Sequence, residues 1–194
     1  MNVSVVIPCH NGSAYIEQCI KSVVGQTDYN SVSEILVVDD GSTDDSPQIL
    51  NRLKLDLNKL KIITTDGLGV SAARNAGIKL AQGDFIALLD SDDYWTKNKL
   101  QNQLTAFNNN SSIGLVYGDF WNFSKPEAID AVLVVVKSFN HNLTNQLDEY
   151  FIKDGPIIPS TTIFRKEVFK TVGLFNENLK VYEDTEMYLR VAEK

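Results

Sequence analysis

Residues 83–93 read Gly83-Asp84-Phe85-Ile86-Ala87-Leu88-Leu89-Asp90-Ser91-Asp92-Asp93. An unbroken apolar run ends directly in a cluster of carboxylates. Such a run, with no polar alternation, suits a strand buried on both faces, as in a parallel sheet. In extended chain residues i and i+2 point the same way, so Asp90 and Asp92 can serve one site. A lone Asp-x-Asp is more often a solvated loop; its place at the end of a buried strand makes it a candidate.

The same pattern recurs on either side. Val3 to Ile7 and Ile35 to Val38 read as buried strands, and Lys61 to Thr64 as a weaker one. Ser13 is expected to cap a helix with Ile16, Cys19, Ile20, Val23 and Val24 on one face. Asp44 or Asp45 with Pro47 opens another, carrying Leu50, Leu53 and Leu57. Val70 to Gln82 is helical, with Gly83 as its stop. Thr96 is expected to cap a helix bearing Leu100, Leu104 and Phe107. This alternation predicts βαβ units and an α/β fold: a mostly parallel, Rossmann-like sheet with helices on both faces and right-handed crossovers. Ligands on such sheets sit outside the carboxyl ends of the strands.

The second half changes character. Gly114 to Gly118 reads as a strand. Asp119 to Phe139, with a turn-like Ser124-Lys125-Pro126-Glu127, reads as a pair of strands or a hairpin, antiparallel to or mixed with the main sheet. A short helix is expected over Asn142 to Ile152, a strand over Ile157 to Phe164, and a helix from Lys166 that Gly173 ends. The last helix starts near Glu183 with Met187, Tyr188 and Val191 at helical spacing. No Gly or Pro closes it, so the chain is expected to be a fragment of a longer protein. A native gene product of 21.6 kDa would refute that.

The 194 residues, 43% hydrophobic and 22% charged, fit one substantial domain. A net charge of −7 argues against a uniformly basic nucleic-acid surface. No basic segment precedes the Val3 run, and the longest apolar run, Ala131 to Val136, is far short of the roughly 20 residues that span a bilayer. Cys9 and Cys19 have neither metal spacing nor a disulfide framework, which suits a reducing compartment. The expected location is cytoplasmic, at most against the inner face of the membrane.

Three acidic groups stand out: Asp39-Asp40 after the second strand, Asp90, Asp92 and Asp93 after the fourth, and Glu183-Asp184 opening the last helix. Crossover logic puts the first two at one edge of the sheet. Each like-charge pair there costs about 4 kcal/mol at 4 Å and an effective dielectric near 20. A hard divalent cation, Mg²⁺ or Mn²⁺, relieves that, and Mg²⁺ is often held by one or two carboxylates plus substrate phosphates. The bland alternatives are a turn at Asp39-Asp40 with Gly41-Ser42-Thr43-Asp44 and a dipole-complementing helix start at Glu183-Asp184.

Together these segments resemble the inverting glycosyltransferases of family 2, which have the GT-A fold. The resemblance rests on Val3 through Gly12, Val37 through Asp44, Gly69 through Gly77, Gly83 through Asp93, Val172 through Glu177, and Glu183-Asp184, in that order. It implies a single catalytic domain over 1–194, with a nucleotide-sugar half over 1–95 and an acceptor and base half over 96–194. It implies that Pro8, His10 and Asn11 lie at the nucleoside, with Asp40 accepting a hydrogen bond from uracil. Arg74 and Asn75 would line the nucleotide and diphosphate. Asp90 and Ser91 would meet the nucleotide sugar, and Asp92 with Asp90 a Mn²⁺ or Mg²⁺ ion. Asp184 matches the general base and Glu183 its acidic neighbour. The family often has Tyr where this chain has His10.

The implied partners are a nucleotide-diphospho-sugar, favoured as UDP-sugar by family habit, and a saccharide or lipid-linked acceptor, in cell-surface polysaccharide or glycolipid synthesis. Tyr117, Phe120, Trp121, Phe123 and Tyr150 are candidate stacking surfaces for the acceptor, against ordinary core packing. Ala131 to Val136 is a candidate for subunit pairing or docking near a lipid-linked acceptor. The rival readings are a sugar nucleotidyltransferase, a phosphoacceptor receiver domain and a non-catalytic nucleotide-sugar-binding module. The first wants a basic Gly-rich loop where Cys9-His10-Asn11-Gly12-Ser13 has no Lys or Arg. The second wants its acidic pair after the first strand.

Overall fold

The computed structural model describes residues 1–120, 137–138 and 157–194. Among these, the strands are β1 (Val3–Cys9), β2 (Val32–Asp40), β3 (Leu60–Thr65), β4 (Phe85–Leu88), β5 (Leu115–Tyr117), β6 (Lys137–Ser138) and β7 (Ile163–Arg165). The helices are α1 (Ile16–Val24), α2 (Ser46–Asp56), α3 (Val70–Leu80), α4 (Lys99–Asn109), α5 (Val168–Val172) and α6 (Glu183–Ala192). The strands form one sheet in the order β3-β2-β1-β4-β7-β5-β6. β1 to β4 pair in parallel, and β7, β5 and β6 add antiparallel. The mixed second half expected above is therefore present.

Strand side chains alternate between two cores. Val3, Val5 and Ile7 pack with Ile20 of α1, Leu50 of α2 and Leu104 of α4. Val6 and Leu36 face Ile78 of α3, Phe169 of α5 and Met187 of α6. Gly77 lets α3 sit down on the sheet, since a Cβ there would lie 2.5 Å from Val6 Cγ1. That close seat brings the preceding turn of α3, with Arg74, to the carboxyl edge.

β1 stays paired with β2 as far as Cys9↔Asp39, but its pairing with β4 ends at Val6↔Leu88. Pro8, which has no N–H to donate, stands just past that point. The two strands part there, at the place where strand order reverses, and a cleft opens between their carboxyl ends.

Several local expectations differ. Ser13 does not cap α1; its N–H donates to Asp44 Oδ2, and Gly12 O accepts the first turn's amides. Asp39 and Asp40 belong to β2 rather than following it. Gly83 does not stop α3, which ends at Leu80; it allows close passage to Asn2 and Ser4, whose backbone atoms lie 2.7 Å from where its Cβ would stand. Asn98, not Thr96, precedes α4. Ile157 to Phe164 is not one strand: Pro159–Thr161 forms a 3₁₀ turn before β7. Gly173 does end α5, with φ 83°. The expected turn at 124–127, the helix at 142–152 and the apolar run at 131–136 lie outside the described residues.

Candidate active site

Pro8, Cys9, His10, Asp40, Gly67, Gly69, Val70, Ala73, Arg74, Asp90, Ser91, Asp92 and Glu183 line one cleft of about 420 Å³. Strand ends β1, β2 and β4, the start of α3 and the start of α6 thus converge on it. Two of the three acidic groups contribute from the sheet and one from α6, which the sequence could not place.

Asp40 closes β2 and organises the loop above it. Its Oδ1 accepts Thr65 Oγ1–H at 2.6 Å and the Leu68 N–H at 2.9 Å, and its Oδ2 accepts the Gly69 N–H at 2.7 Å. Burial alone would push this carboxyl up; the bonds from Thr65, Leu68, Gly69 and Gly67 outweigh it and hold the group below its usual range. The expected uracil acceptor is therefore first of all a loop anchor, with lone pairs largely committed. A folded pKa below the unfolded value, near 4, contributes stability above pH 4 that is lost as pH falls through the folded value. Asp40→Asn is expected to lose roughly 1.5–3 kcal/mol of stability near neutral pH. Denaturant unfolding should show that deficit shrinking in acid; a pH-independent deficit would assign the loss to shape rather than charge.

His10 Nδ1 lies 2.7 Å from the Asp40 carbonyl, which can only accept, so Nδ1 carries the proton. Its Nε2 then accepts Asn11 Nδ2–H at 3.2 Å. Asn11, expected at the nucleoside, is spent on the neighbouring loop: its Oδ1 accepts the Thr43 N–H at 2.8 Å and its own N–H donates to Ser42 Oγ. It is absent from the cleft wall, and its φ of 53° serves the turn after β1.

Arg74 is the buried hinge of the site. One terminal nitrogen donates to Asp90 Oδ1 and the other to Glu183 Oε1, each at 2.8 Å. Its side chain is 4% exposed. It lines the cleft as expected, but as a bridge between two carboxylates. Burial, with Arg74 opposing and Asp92 and Glu183 adding, leaves the Asp90 carboxyl above its usual range. Asn75 does not line the cleft; its carboxamide turns to Phe175 and Glu177.

Asp92 is exposed and has no hydrogen-bond partner among the described residues. Asp90 N–H donates to Ser160 Oγ at 3.0 Å, and Ser160 Oγ–H donates to Asp93 Oδ2 at 2.5 Å. Ser160 thus pins the Asp90-to-Asp93 turn, a role the sequence reading missed. The polar Ser160-Thr161-Thr162 interrupting an apolar stretch was its only signal. Among the described residues no three His, Cys, Asp or Glu side chains gather as a metal cage. Asp92 with Asp90 offers hard carboxylate oxygens at the cleft edge, a partial set that fits a Mg²⁺ or Mn²⁺ ion completed by phosphate oxygens.

At α6, Glu183 lines the cleft and Asp184 stands beside it, off the wall. Asp184 Oδ1 accepts the Thr185 N–H at 2.6 Å; its other oxygen has no partner among the described residues. Tyr182, just before, is 75% exposed and holds a left-handed φ of 61°. Of the aromatic acceptor candidates, Tyr117 is buried core and Phe120 sits at the exposed limit of the described segment; Trp121, Phe123 and Tyr150 lie outside the described residues. Among the described residues no helix is long and apolar enough to cross a membrane.

The family model described as Glycosyl transferase family 2 matches residues 4–173. Glycosyltransferase GlyG of Streptococcus pneumoniae is 27% identical over 183 residues, 90% of this chain and 60% of its own length. The poly(ribitol-phosphate) beta-glucosyltransferase of Bacillus spizizenii is 35% identical over 184 residues, 92% of this chain and 26% of its own. The crystal structure of S. aureus TarS 1–349 in complex with UDP matches with a TM-score of 0.74 at 26% identity, covering 99% of this chain and 55% of that one. The chain thus spans less than two thirds of each of these relatives.

Proposed function

The chain belongs to glycosyl transferase family 2, and from that premise we propose that its cleft transfers a sugar from a nucleoside-diphosphate sugar to an acceptor hydroxyl with inversion. The observation that carries this reading is the convergence of Asp40, Arg74, Asp90, Asp92 and Glu183 on one cleft at the carboxyl ends of parallel strands. The β1 and β2 ends would hold the nucleoside, and the β4 end the diphosphate. Asp92, with Asp90, would hold a divalent cation, which supplies stabilisation of the charge growing on the leaving diphosphate. The acceptor hydroxyl must lose its proton, and Asp184 is the candidate base. A single displacement inverts the anomeric centre and needs no protein nucleophile.

A UDP-sugar donor is supported by the TarS complexes with UDP and with UDP-GlcNAc. A polymeric acceptor is supported by the Bacillus spizizenii relative, a poly(ribitol-phosphate) beta-glucosyltransferase. The nucleotidyltransferase alternative loses ground at the loop after β1. Its Asn11 and Ser13 amides are spent on Ser42 and Asp44, so they are not open to cradle a triphosphate.

The test is calorimetry of UDP with and without Mn²⁺. The wild type should bind UDP more tightly with the ion, and Asp92→Ala should lose that enhancement, by about tenfold or more. Unchanged Mn²⁺-dependent affinity in the variant would remove Asp92 from the metal site. Screening nucleotide sugars for Mn²⁺-dependent hydrolysis would then name the donor.

A further inference from the structure

Asn75 follows Arg74 on α3, yet it serves a different partner. It is 2% exposed. Its Nδ2 donates to the Phe175 carbonyl at 2.9 Å and to Glu177 Oε1 at 2.8 Å, and its Oδ1 accepts the Phe175 N–H at 2.9 Å. The carboxamide therefore pairs with both backbone groups of one residue, as a neighbouring strand would. That fixes Phe175 in height and in direction relative to α3.

Phe175 and Glu177 lie on the segment that connects α5 to α6. From the other side, Arg190 of α6 donates to the carbonyls of Val172 and Leu174, the latter at 2.9 Å, and to Glu186. The stretch before Phe175 is thus tied to α6, and Phe175 itself is tied to α3. The Arg74 guanidinium lies 5.5 Å from the centre of the Phe175 ring, over its face, and reaches Glu183. Two consecutive α3 residues grip the unit that carries Glu183 and Asp184, one at its entry and one at its tip.

We propose that Asn75 is a positioning residue for transfer: through Phe175 and Glu177 it sets where the first turn of α6 stands over the cleft. The inference rests on the reading of Asp184 as the base. Because a displacement of about 1 Å in a reacting group can cost about 10²-fold in rate, a carboxamide that fixes the base's support should act on turnover rather than donor binding.

The test variant is Asn75→Asp, which keeps the shape and the acceptor for the Phe175 N–H. It loses both donated bonds and sets a negative charge against the Phe175 carbonyl and Glu177. In Mn²⁺-dependent hydrolysis of UDP-GlcNAc and UDP-glucose, kcat should fall by about 10²-fold while donor KM and UDP affinity stay at wild-type values. Glu177→Gln alone keeps the acceptor for Asn75 and should be neutral. Added to Asn75→Asp, it supplies a donor to the new carboxylate and should recover part of kcat. Loss of UDP affinity in step with kcat, unchanged kcat, or no recovery in the double variant would overturn the proposal.

Two further arms keep it decidable. If Asn75→Asp does not fold, Glu177→Ala removes one bond from the exposed side, and a kcat equal to wild type would count against the idea. If the wild type hydrolyses no nucleotide sugar, the functional reading fails separately. Hydrogen exchange then reads the mechanical claim: the amides of 183–186 should exchange faster in Asn75→Asp while those of β1 do not change. Equal exchange at 183–186 would overturn it.

Discussion

Arg74→Met is expected to destabilise the protein by about 3 kcal/mol, lowering Tm by roughly 6–12 °C. Methionine fills most of the space and removes the charge, so the loss is mainly electrostatic. Arg74 is 4% exposed, against 26% for the Asp90 side chain and 13% for Glu183. Taking the cation away leaves two partly buried carboxylates without the guanidinium that both of them accept from. Partial access of water to Asp90 keeps the cost at the low end for a broken buried pair.

The effect should depend on pH with a definite sign. The Asp90 carboxyl already sits above its ordinary value, because burial outweighs Arg74 and because Asp92 and Glu183 add to it. A folded pKa above the unfolded one means the folded state binds more protons between the two, so stability falls as pH rises through that window. Removing Arg74 widens the window, and the deficit should be larger near neutral pH than in mild acid. Arg74→Lys should recover part of the loss, since one ammonium cannot span two carboxylates that a planar fork meets at once. Scanning calorimetry without added divalent cation measures this; a Tm equal to wild type would show that the bridge contributes nothing.

That bridge also marks where sequence reading ends. The strands were legible because β1, β2 and β4 are buried on both faces and leave continuous apolar runs. The carboxyl edge was legible because parallel strands put their ends together, which fixed Asp40 and Asp90 as neighbours of one cleft. Local polar residues were harder. Ser13, Thr96 and Gly83 all look like helix punctuation, yet tertiary partners claimed them or their neighbours: Asp44 took the Ser13 amide, and Ser4 took the Gly83 amide. Arg74 and Asn75 are adjacent, and the family resemblance gives both one role, lining the nucleotide and diphosphate. On a helix, consecutive side chains point about 100° apart, so one could face the cleft while the other faced the loop at 175–177. Nothing local in the sequence says that the partners of Asn75 lie a hundred positions away.

The division of labour at the start of α6 leads to the other large effect. Glu183 is committed to Arg74, whose guanidinium donates to its Oε1 at 2.8 Å. Asp184 has one oxygen tied to Thr185 and the other without a partner among the described residues. Asp184→Asn keeps the oxygen that accepts the Thr185 N–H and removes only the basicity. Turnover of a UDP-sugar should therefore fall by about 10²- to 10⁴-fold while UDP affinity with Mn²⁺ is unchanged. Glu183→Gln should behave differently, because it weakens the Arg74 bridge: stability, UDP affinity and turnover should decline together. The pair of variants separates a base from a strut. Retention of most turnover by Asp184→Asn, with selective loss in Glu183→Gln at normal stability, would exchange the two roles and make the cleft-lining acid the base.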